Sequence, residues 1–337
     1  VSEGRKIAIL GTGGTIAGLG DAQGGGVGYQ AGQLGVAQLL QPIADQAVPQ
    51  GWSLELEQVA QLDSKDMDVT VWLQLAQACQ RWLLQPEVAG VVITHGTDTL
   101  EETAWFLQCV LQPAKPVVLT CAMRPATALS ADGPANLRDA LACTAQGRAG
   151  VWAVASGEVH SAQQVHKAHP YRVHAFTSGE AGPAGWAEEG RVRWAGGSEA
   201  TLPCAAEWTE WPVADTWPWV EIVTSTAGAR PAAVDALVAA GVQGLVVACT
   251  GNGSVHQALQ QALQRAQDRG VRVWRSTRCE QGQIVQAQGQ EDPLVSPLSP
   301  LKARISLMLE LLHAARQAKV SEASGAMRVR VDCYPSG

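Results

Sequence analysis

Short, continuously apolar runs recur along this chain, each separated from the next by a stretch of different character. Residues 6–10 (KIAIL), 91–93 (VVI), 116–120 (PVVLT) and 151–155 (VWAVA) are bounded by glycine, proline or polar clusters. A strand with one wet face alternates polar with apolar residues, whereas a run with no polar member reads as a strand buried on both faces. Between these runs lie a helix expected at 34–43, an amphipathic stretch at 69–84, and a helix expected over 132–146 with Pro134 in its first turn. That alternation specifies an α/β fold with a doubly wound, mostly parallel sheet. A chain of 337 residues exceeds the usual size of one core, so a second domain is expected. The boundaries are set at 1–196 for a large N-terminal domain, 197–217 for a linker and 218–337 for a smaller C-terminal α/β domain. In the latter, strands at 219–224, 245–249 and 271–274 alternate with helices at 231–240, 255–269 and 301–318.

The chemistry concentrates where strands end. Residues 90–103, GVVITHGTDTLEET, place Thr94, His95, Thr97 and Asp98 in a tight turn between a buried strand and a helix. Ligands of open α/β sheets bind at such carboxyl ends. Thr99 and Glu102 have capping-box spacing, and Glu101 and Glu102 fall in the first helical turn. On this turn alone, a hydroxyl and carboxylate acting on a substrate and a plain helix cap both remain open. The polar cluster Gln61 to Asp66 after the strand at 54–59 has the same two readings, and so does Asn252 in the loop TGNGS.

After the first strand, eleven glycines fall within residues 11–35. Glycine at that density permits close backbone approach to a ligand and makes a mobile loop. Residues 18–33 are expected to form a lid, with Thr15 near its hinge and Tyr29 near its tip. A dinucleotide fingerprint is excluded, because the third glycine of GxGxxG would fall at Ile16, and no GK[ST] is present. His160, His166, His169 and His174 surround Lys167, yet HExxH is missing and Pro170 breaks any helix, so no metal is expected there. A lysine buried among aromatics and hydroxyls is instead suited to proton transfer.

The balance of 24 lysines and arginines against 31 aspartates and glutamates, net charge −7, gives no footprint for nucleic acid. No apolar run has membrane-spanning length, and no signal-peptide core opens the chain. Eight scattered cysteines lack zinc spacing and suit a reducing compartment. The expected location is cytoplasmic, or periplasmic if a leader has been removed.

GTGGTIAG at 11–18, THGTDTLEET at 94–103 and AMRPATALSADGPANL at 122–137 together resemble the signatures of the bacterial-type L-asparaginase family, which includes the glutaminase-asparaginases. QLDSKDM, the lysine of VHKAHP, TGNGS and SPLKAR follow in family order. The resemblance implies hydrolysis of L-asparagine to L-aspartate and ammonia through a threonyl acyl-enzyme, without metal or organic cofactor. It also implies a homotetramer built as a dimer of intimate dimers. Thr15 corresponds to the nucleophile, Tyr29 to its partner on the lid, and Thr97, Asp98 and Lys167 to a second catalytic set. Asp63, Ser64 and Ala122 correspond to the pocket for the α-amino and α-carboxyl groups, and Asn252 to a substrate-binding residue of the second domain. Backbone N–H groups of the turns at 96–98 and 121–123 are expected to face the developing oxyanion. Asp98 is expected to form a buried pair with Lys167. The acidic residue supplied by a neighbouring subunit falls at Glu291 or Gln290. A glutaminase-asparaginase with comparable glutamine activity and a non-catalytic amino-acid sensor are the alternatives, although a binder has no need of two such hydroxyls.

Overall fold

The computed structural model describes residues 5–20, 28–43, 51–196, 214–289 and 291–331. Part of the expected lid, most of the expected linker and Gln290 lie outside them. Contacts divide the chain into two units, Val1–Ala214 and Asp215–Gly337.

The strands of the first unit are β1 (Lys6–Gly13), β2 (Leu19–Gly20), β3 (Tyr29–Gln30), β4 (Ser53–Leu62), β5 (Val88–Thr94), β6 (Pro116–Thr120), β7 (Gly150–Ala155), β8 (Glu158–Ser161), β9 (His166–Lys167), β10 (Phe176–Thr177), β11 (Gly185–Glu188) and β12 (Arg191–Trp194). Its helices are α1 (Val36–Leu40), α2 (Val69–Leu83), α3 (Leu100–Leu111) and α4 (Gly133–Ala145). Eight strands form one sheet in the order β12-β11-β8-β7-β6-β5-β1-β4. The pairs from β4 through β7 are parallel and those from β7 to β12 antiparallel. In register, Ile9 lies between Leu56 and Val92, and Val92 beside Val118.

The apolar runs behave as their composition requires. Ile7, Ile9, Val92 and Val118 pack with Leu137, Ala140 and Leu141 of α4 and with Leu39 and Leu40 of α1. Their neighbours Ala8, Leu10, Val91 and Ile93 point to the opposite face and are equally buried, so helices cover both sides. Trp72 of α2 stacks on Phe106 of α3 at 4.9 Å, and its indole N–H donates to Thr103 Oγ1 at 2.9 Å. Pro134 stands in the first turn of α4, and Gly147, at φ 76°, follows its end.

The second unit contains β13 (Val220–Thr224), β14 (Gly244–Cys249) and β15 (Arg272–Thr277), all parallel, with α5 (Ala232–Ala239), α6 (Gln257–Asp268) and α7 (Pro300–Val331). Leu245, Val247, Val273, Val234, Leu259 and Leu263 form its core. α7 runs past the expected end at 318, because the segment that follows, KVSEASGAMRVRV, contains no proline and only one glycine to stop it. Among the described residues, no helix is long and apolar enough to cross a membrane.

Candidate active site

The strand order decides which loops meet. β4, β1, β5 and β6 are consecutive neighbours in one parallel block, so their carboxyl ends open on the same edge. Asp63 and Ser64 follow β4, Thr15 follows β1, Thr97 and Asp98 follow β5, and Ala122 follows β6. The chain leaves β1 for β4 on one side and returns to β5 on the other, which makes the gap between β1 and β5 the switch point where a ligand crevice opens.

Two glycines let the Thr15 and Thr97 turns touch. A Cβ on Gly14 would collide with the backbone of Gly96, and one on Gly96 would collide with Ser64. Gly14 also adopts φ 79°, a conformation that side chains disfavour. Gly14→Ala is therefore expected to cost about 2–4 kcal/mol from strain and overpacking together. Urea unfolding checks this, and a loss below about 0.5 kcal/mol would show that the two turns have room to separate.

Thr15 opens a short 3-10 turn and is buried. Its hydroxyl lies 2.7 Å from the phenol of Tyr29. Tyr29 is held there because β3 pairs with β2, Gly20 opposite Tyr29. Further along the edge, Lys167 Nζ donates to Thr97 Oγ1 at 2.8 Å and to Asp98 Oδ1 at 2.5 Å. Lys167 reaches them from the β9–β10 hairpin, in which it pairs with Phe176. The expected charge pair thus forms, but it is not buried as expected. The Asp98 side chain is 53% exposed and that of Lys167 16%. Phe176, the cross-strand partner of Lys167, is buried, whereas Tyr171 is 60% exposed. Pro170 sends the chain into a turn in which His169 Nδ1 accepts the N–H groups of Tyr171 and Arg172.

Other expectations change at the level of single atoms. Thr99 occupies the N-cap of α3 without capping it; its hydroxyl donates to the Ser64 carbonyl at 2.8 Å, a tertiary partner in place of the local one. Ser64 Oγ is buried and accepts the Asp98 N–H at 3.2 Å. The Met123 N–H donates to Asp132 Oδ2 at 2.9 Å. Neither Asp98 nor Met123 therefore offers its N–H to an oxyanion. The side chain of Ala122 belongs to the apolar core, leaving only its backbone for a ligand. Asn252 uses both ends of its amide on Val285, accepting its N–H at 2.7 Å and donating to its carbonyl at 3.0 Å. It straps the segment ahead of Glu291 rather than presenting a free amide.

Sequence reading passed over Asp132 and Asn136. Asp132 accepts from Met123 and Arg124, and Asn136 donates to the Cys121 carbonyl while accepting the Ser156 N–H. Together they shape the loop after β6. Asp132 directly before Gly-Pro at the start of α4 was the available signal, since such a carboxylate turns towards nearby backbone N–H groups.

Electrostatics add two perturbed groups. Burial pushes the Asp63 carboxyl up, but hydrogen bonds from the Lys65 ammonium and N–H, with the charges of Lys65 and Lys167, leave it below its ordinary value. Burial drives the His95 imidazole from 6.5 down to about 4, against the opposing hydrogen bond to the Gly96 carbonyl. Its Nδ1–H donates there at 2.7 Å, and its buried Nε2 has no partner among the described residues. The unfolded imidazole takes a proton near 6.5 and the folded one only near 4. His95 therefore contributes stability that is present above pH 6.5 and is lost as pH falls towards 4, by roughly 3 kcal/mol. Urea midpoints across that window should fall more steeply for the unaltered protein than for His95→Gln, and parallel profiles would refute the assignment.

Among the described residues no cluster of three histidines, cysteines or acidic groups is placed to hold a metal. His174 Nε2 lies 3.0 Å from Glu158 Oε2 and His160 Nδ1 lies 2.9 Å from Ser178 Oγ. These histidines anchor the hairpin that carries Lys167.

Comparison with known proteins gives consistent results for both units. The family described as "Asparaginase, N-terminal" matches residues 6–199, and the "Glutaminase/Asparaginase C-terminal domain" matches residues 219–323. L-asparaginase 2 of Bacillus subtilis (strain 168) is 36% identical over 324 residues, covering 94% of this chain and 84% of that protein. The glutaminase-asparaginase of Pseudomonas fluorescens biotype A is 36% identical over 320 residues, covering 91% and 86%. A crystal structure titled as a probable cytoplasmic L-asparaginase from Campylobacter jejuni superposes with a TM-score of 0.80 at 36% identity, covering 91% of this chain and 95% of that one. With both family domains matched in order and relatives aligned along nearly the whole sequence, this chain belongs to the bacterial-type asparaginase family.

Proposed function

We propose that the protein hydrolyses the side-chain amide of L-asparagine to L-aspartate and ammonia through a threonyl acyl-enzyme. The observation that carries this reading is the pairing of two hydroxyl centres, Thr15 with Tyr29 and Thr97 with Lys167 and Asp98, on turns in glycine-to-glycine contact. Thr15 Oγ1 attacks the amide carbon while its proton passes to a neighbouring base, since a threonine hydroxyl is a weak nucleophile unless so activated. The C–N bond then breaks, and the nitrogen leaves as ammonia with a proton relayed from Lys167 through Thr97. Water attacks the resulting ester, and proton return to Thr15 releases aspartate. In the second step Thr97 and Lys167 orient and deprotonate that water. Asp98 balances the Lys167 charge throughout. Asp63, Ser64 and the backbone of Ala122 line the end of the pocket that takes the α-groups, and Asn252 acts by positioning the segment leading to Glu291. Residues 18–33 act as the lid that excludes water until the ester forms.

The same reading makes the active species a homotetramer, a dimer of intimate dimers, in which Glu291 or Gln290 serves a neighbouring subunit. Sedimentation at working concentration checks this. A cytoplasmic location is supported by the described cysteines, which are unbridged and with one exception buried. Ammonia release from L-asparagine and, in parallel, L-glutamine tests the function. Hydrolysis of asparagine upholds it, and the glutamine ratio separates an asparaginase from a glutaminase-asparaginase. Binding of both without ammonia release would favour a sensor.

A further inference from the structure

The hairpin that carries Lys167 stands apart from the main sheet. Its strands pair with each other, His166 with Thr177 and Lys167 with Phe176, and form a separate two-stranded sheet. Among the described residues no ladder joins that hairpin to the eight strands, so no ladder sets the distance of the lysine from Thr97 and Asp98. Side chains hold it instead. Ser156 Oγ donates to the Val173 carbonyl at 2.9 Å, His174 Nε2 lies 3.0 Å from Glu158 Oε2, and His160 Nδ1 lies 2.9 Å from Ser178 Oγ. These ties grip the turn of the hairpin and the end of β10.

At the lysine itself the contact comes from α3. Glu101, in the first turn of that helix, is 7% exposed, and its Oε1 accepts the Lys167 N–H at 3.5 Å. The distance is long for a hydrogen bond, but the ladder fixes the direction of the donor. Ala168 gives its N–H to the Ala175 carbonyl, and in an antiparallel pair hydrogen-bonded and non-hydrogen-bonded positions alternate. Lys167 and Phe176 are then a non-hydrogen-bonded pair, and the Lys167 N–H turns away from β10 towards Glu101. A backbone N–H facing protein needs an acceptor, and a carboxylate at a helix start is a strong one that the helix dipole favours. Glu101 also continues the segment that bears Thr97 and Asp98. Lys167 is therefore held to one segment at both ends, its ammonium by Thr97 and Asp98 and its backbone by Glu101.

Resting on the reading of Lys167 as the proton relay, we propose that Glu101 is a positioning residue for amide hydrolysis, fixing the Lys167 backbone so that its ammonium stays within reach of Thr97. Glu101 acts through the lysine alone. What it must supply is an acceptor oxygen at that reach.

Steady-state ammonia release, together with hydrogen–deuterium exchange of the full chain, tests this. Glu101→Met keeps the side-chain length and removes the acceptor. It is expected to lower kcat for L-asparagine by roughly tenfold to a hundredfold, the cost of displacing a reacting group by about an ångström, with KM within about threefold. Glu101→Gln retains an acceptor oxygen and should keep kcat within about threefold. Glu101→Asp keeps the charge at the helix start but falls one methylene short, so it should resemble Glu101→Met, and it serves in its place if the methionine variant does not fold. Added to Lys167→Met, Glu101→Met should lower kcat hardly further, because the group it positions is already gone. Exchange over residues 165–170 should quicken in the methionine and aspartate variants and not in the glutamine one.

Unchanged kcat in Glu101→Met would overturn the proposal, as would losses that multiply in the double variant, which a merely structural role gives. Full activity in Glu101→Asp with a slow Glu101→Gln would overturn it too, since charge and not the bond to the N–H would then matter. An unaltered protein that releases no ammonia would sink the hydrolase reading alone, because exchange still reports whether Glu101 holds the Lys167 backbone.

Discussion

Thr15→Ala is expected to lower kcat for L-asparagine by about three orders of magnitude or more, with Thr97→Ala close behind. The two hydroxyls sit on different loops but serve one reaction in the proposed mechanism. Thr15 is held 2.7 Å from Tyr29 and Thr97 lies 2.8 Å from the Lys167 ammonium. Removing either oxygen breaks the sequence of attack, ammonia departure and ester hydrolysis at a different step, so the losses should not add. The double variant should be hardly slower than the worse single one. Stability should scarcely change, because each alanine removes a hydroxyl and a methyl group without stranding a charge. Steady-state ammonia release with a parallel thermal melt measures both. If Thr15→Ala stayed within tenfold of the unaltered enzyme while Thr97→Ala lost activity, the nucleophile would have to be reassigned to Thr97.

Lys167→Met is the second large effect, expected to lower kcat by about a thousandfold, within the range of general acid–base catalysis. The lysine donates to Thr97 Oγ1 and Asp98 Oδ1 together, so methionine keeps the length of the side chain and removes both contacts. Asp98 is half exposed, so water can hydrate the carboxylate left behind, and the fold should survive. Lys167→Arg should not restore the rate. Its planar guanidinium cannot place one donor on the threonine while retaining the geometry on Asp98, and it does not give up a proton near neutrality. A Lys167→Met enzyme with kcat near that of the unaltered protein would remove the lysine from proton transfer and leave it a structural partner of Asp98.

The separation of Lys167 from Thr97 by 70 positions illustrates what was legible and what was not. The apolar runs announced the buried strands, since a segment without polar alternation has no face to offer water. The glycine-rich stretch and the hydroxyl-bearing turns announced where chemistry concentrates, because backbone conformation there is set locally. The capping of α3 misled for the opposite reason. Thr99 has the right spacing for a local cap, but Ser64, brought alongside by β4 and β5 flanking β1, competes successfully for its hydroxyl. The substrate role of Asn252 rested on the family resemblance, and only the path of the chain at Val285 shows where both ends of its amide are engaged.

By itself, then, the amino-acid sequence determined the class of fold, the strand ends at which the candidate site lies, and the residue types proposed for the chemistry, since all of these rest on local periodicity and on motifs a few residues long. Tertiary structure decided which atoms meet: that Gly14 rests on Gly96, that Lys167 serves Thr97 and Asp98 together, that Lys65 pairs with Asp63, and that Ser64 ties two turns together. These contacts depend on strand order and on the angstrom-scale separation of loops distant in the chain, and no local pattern encodes either.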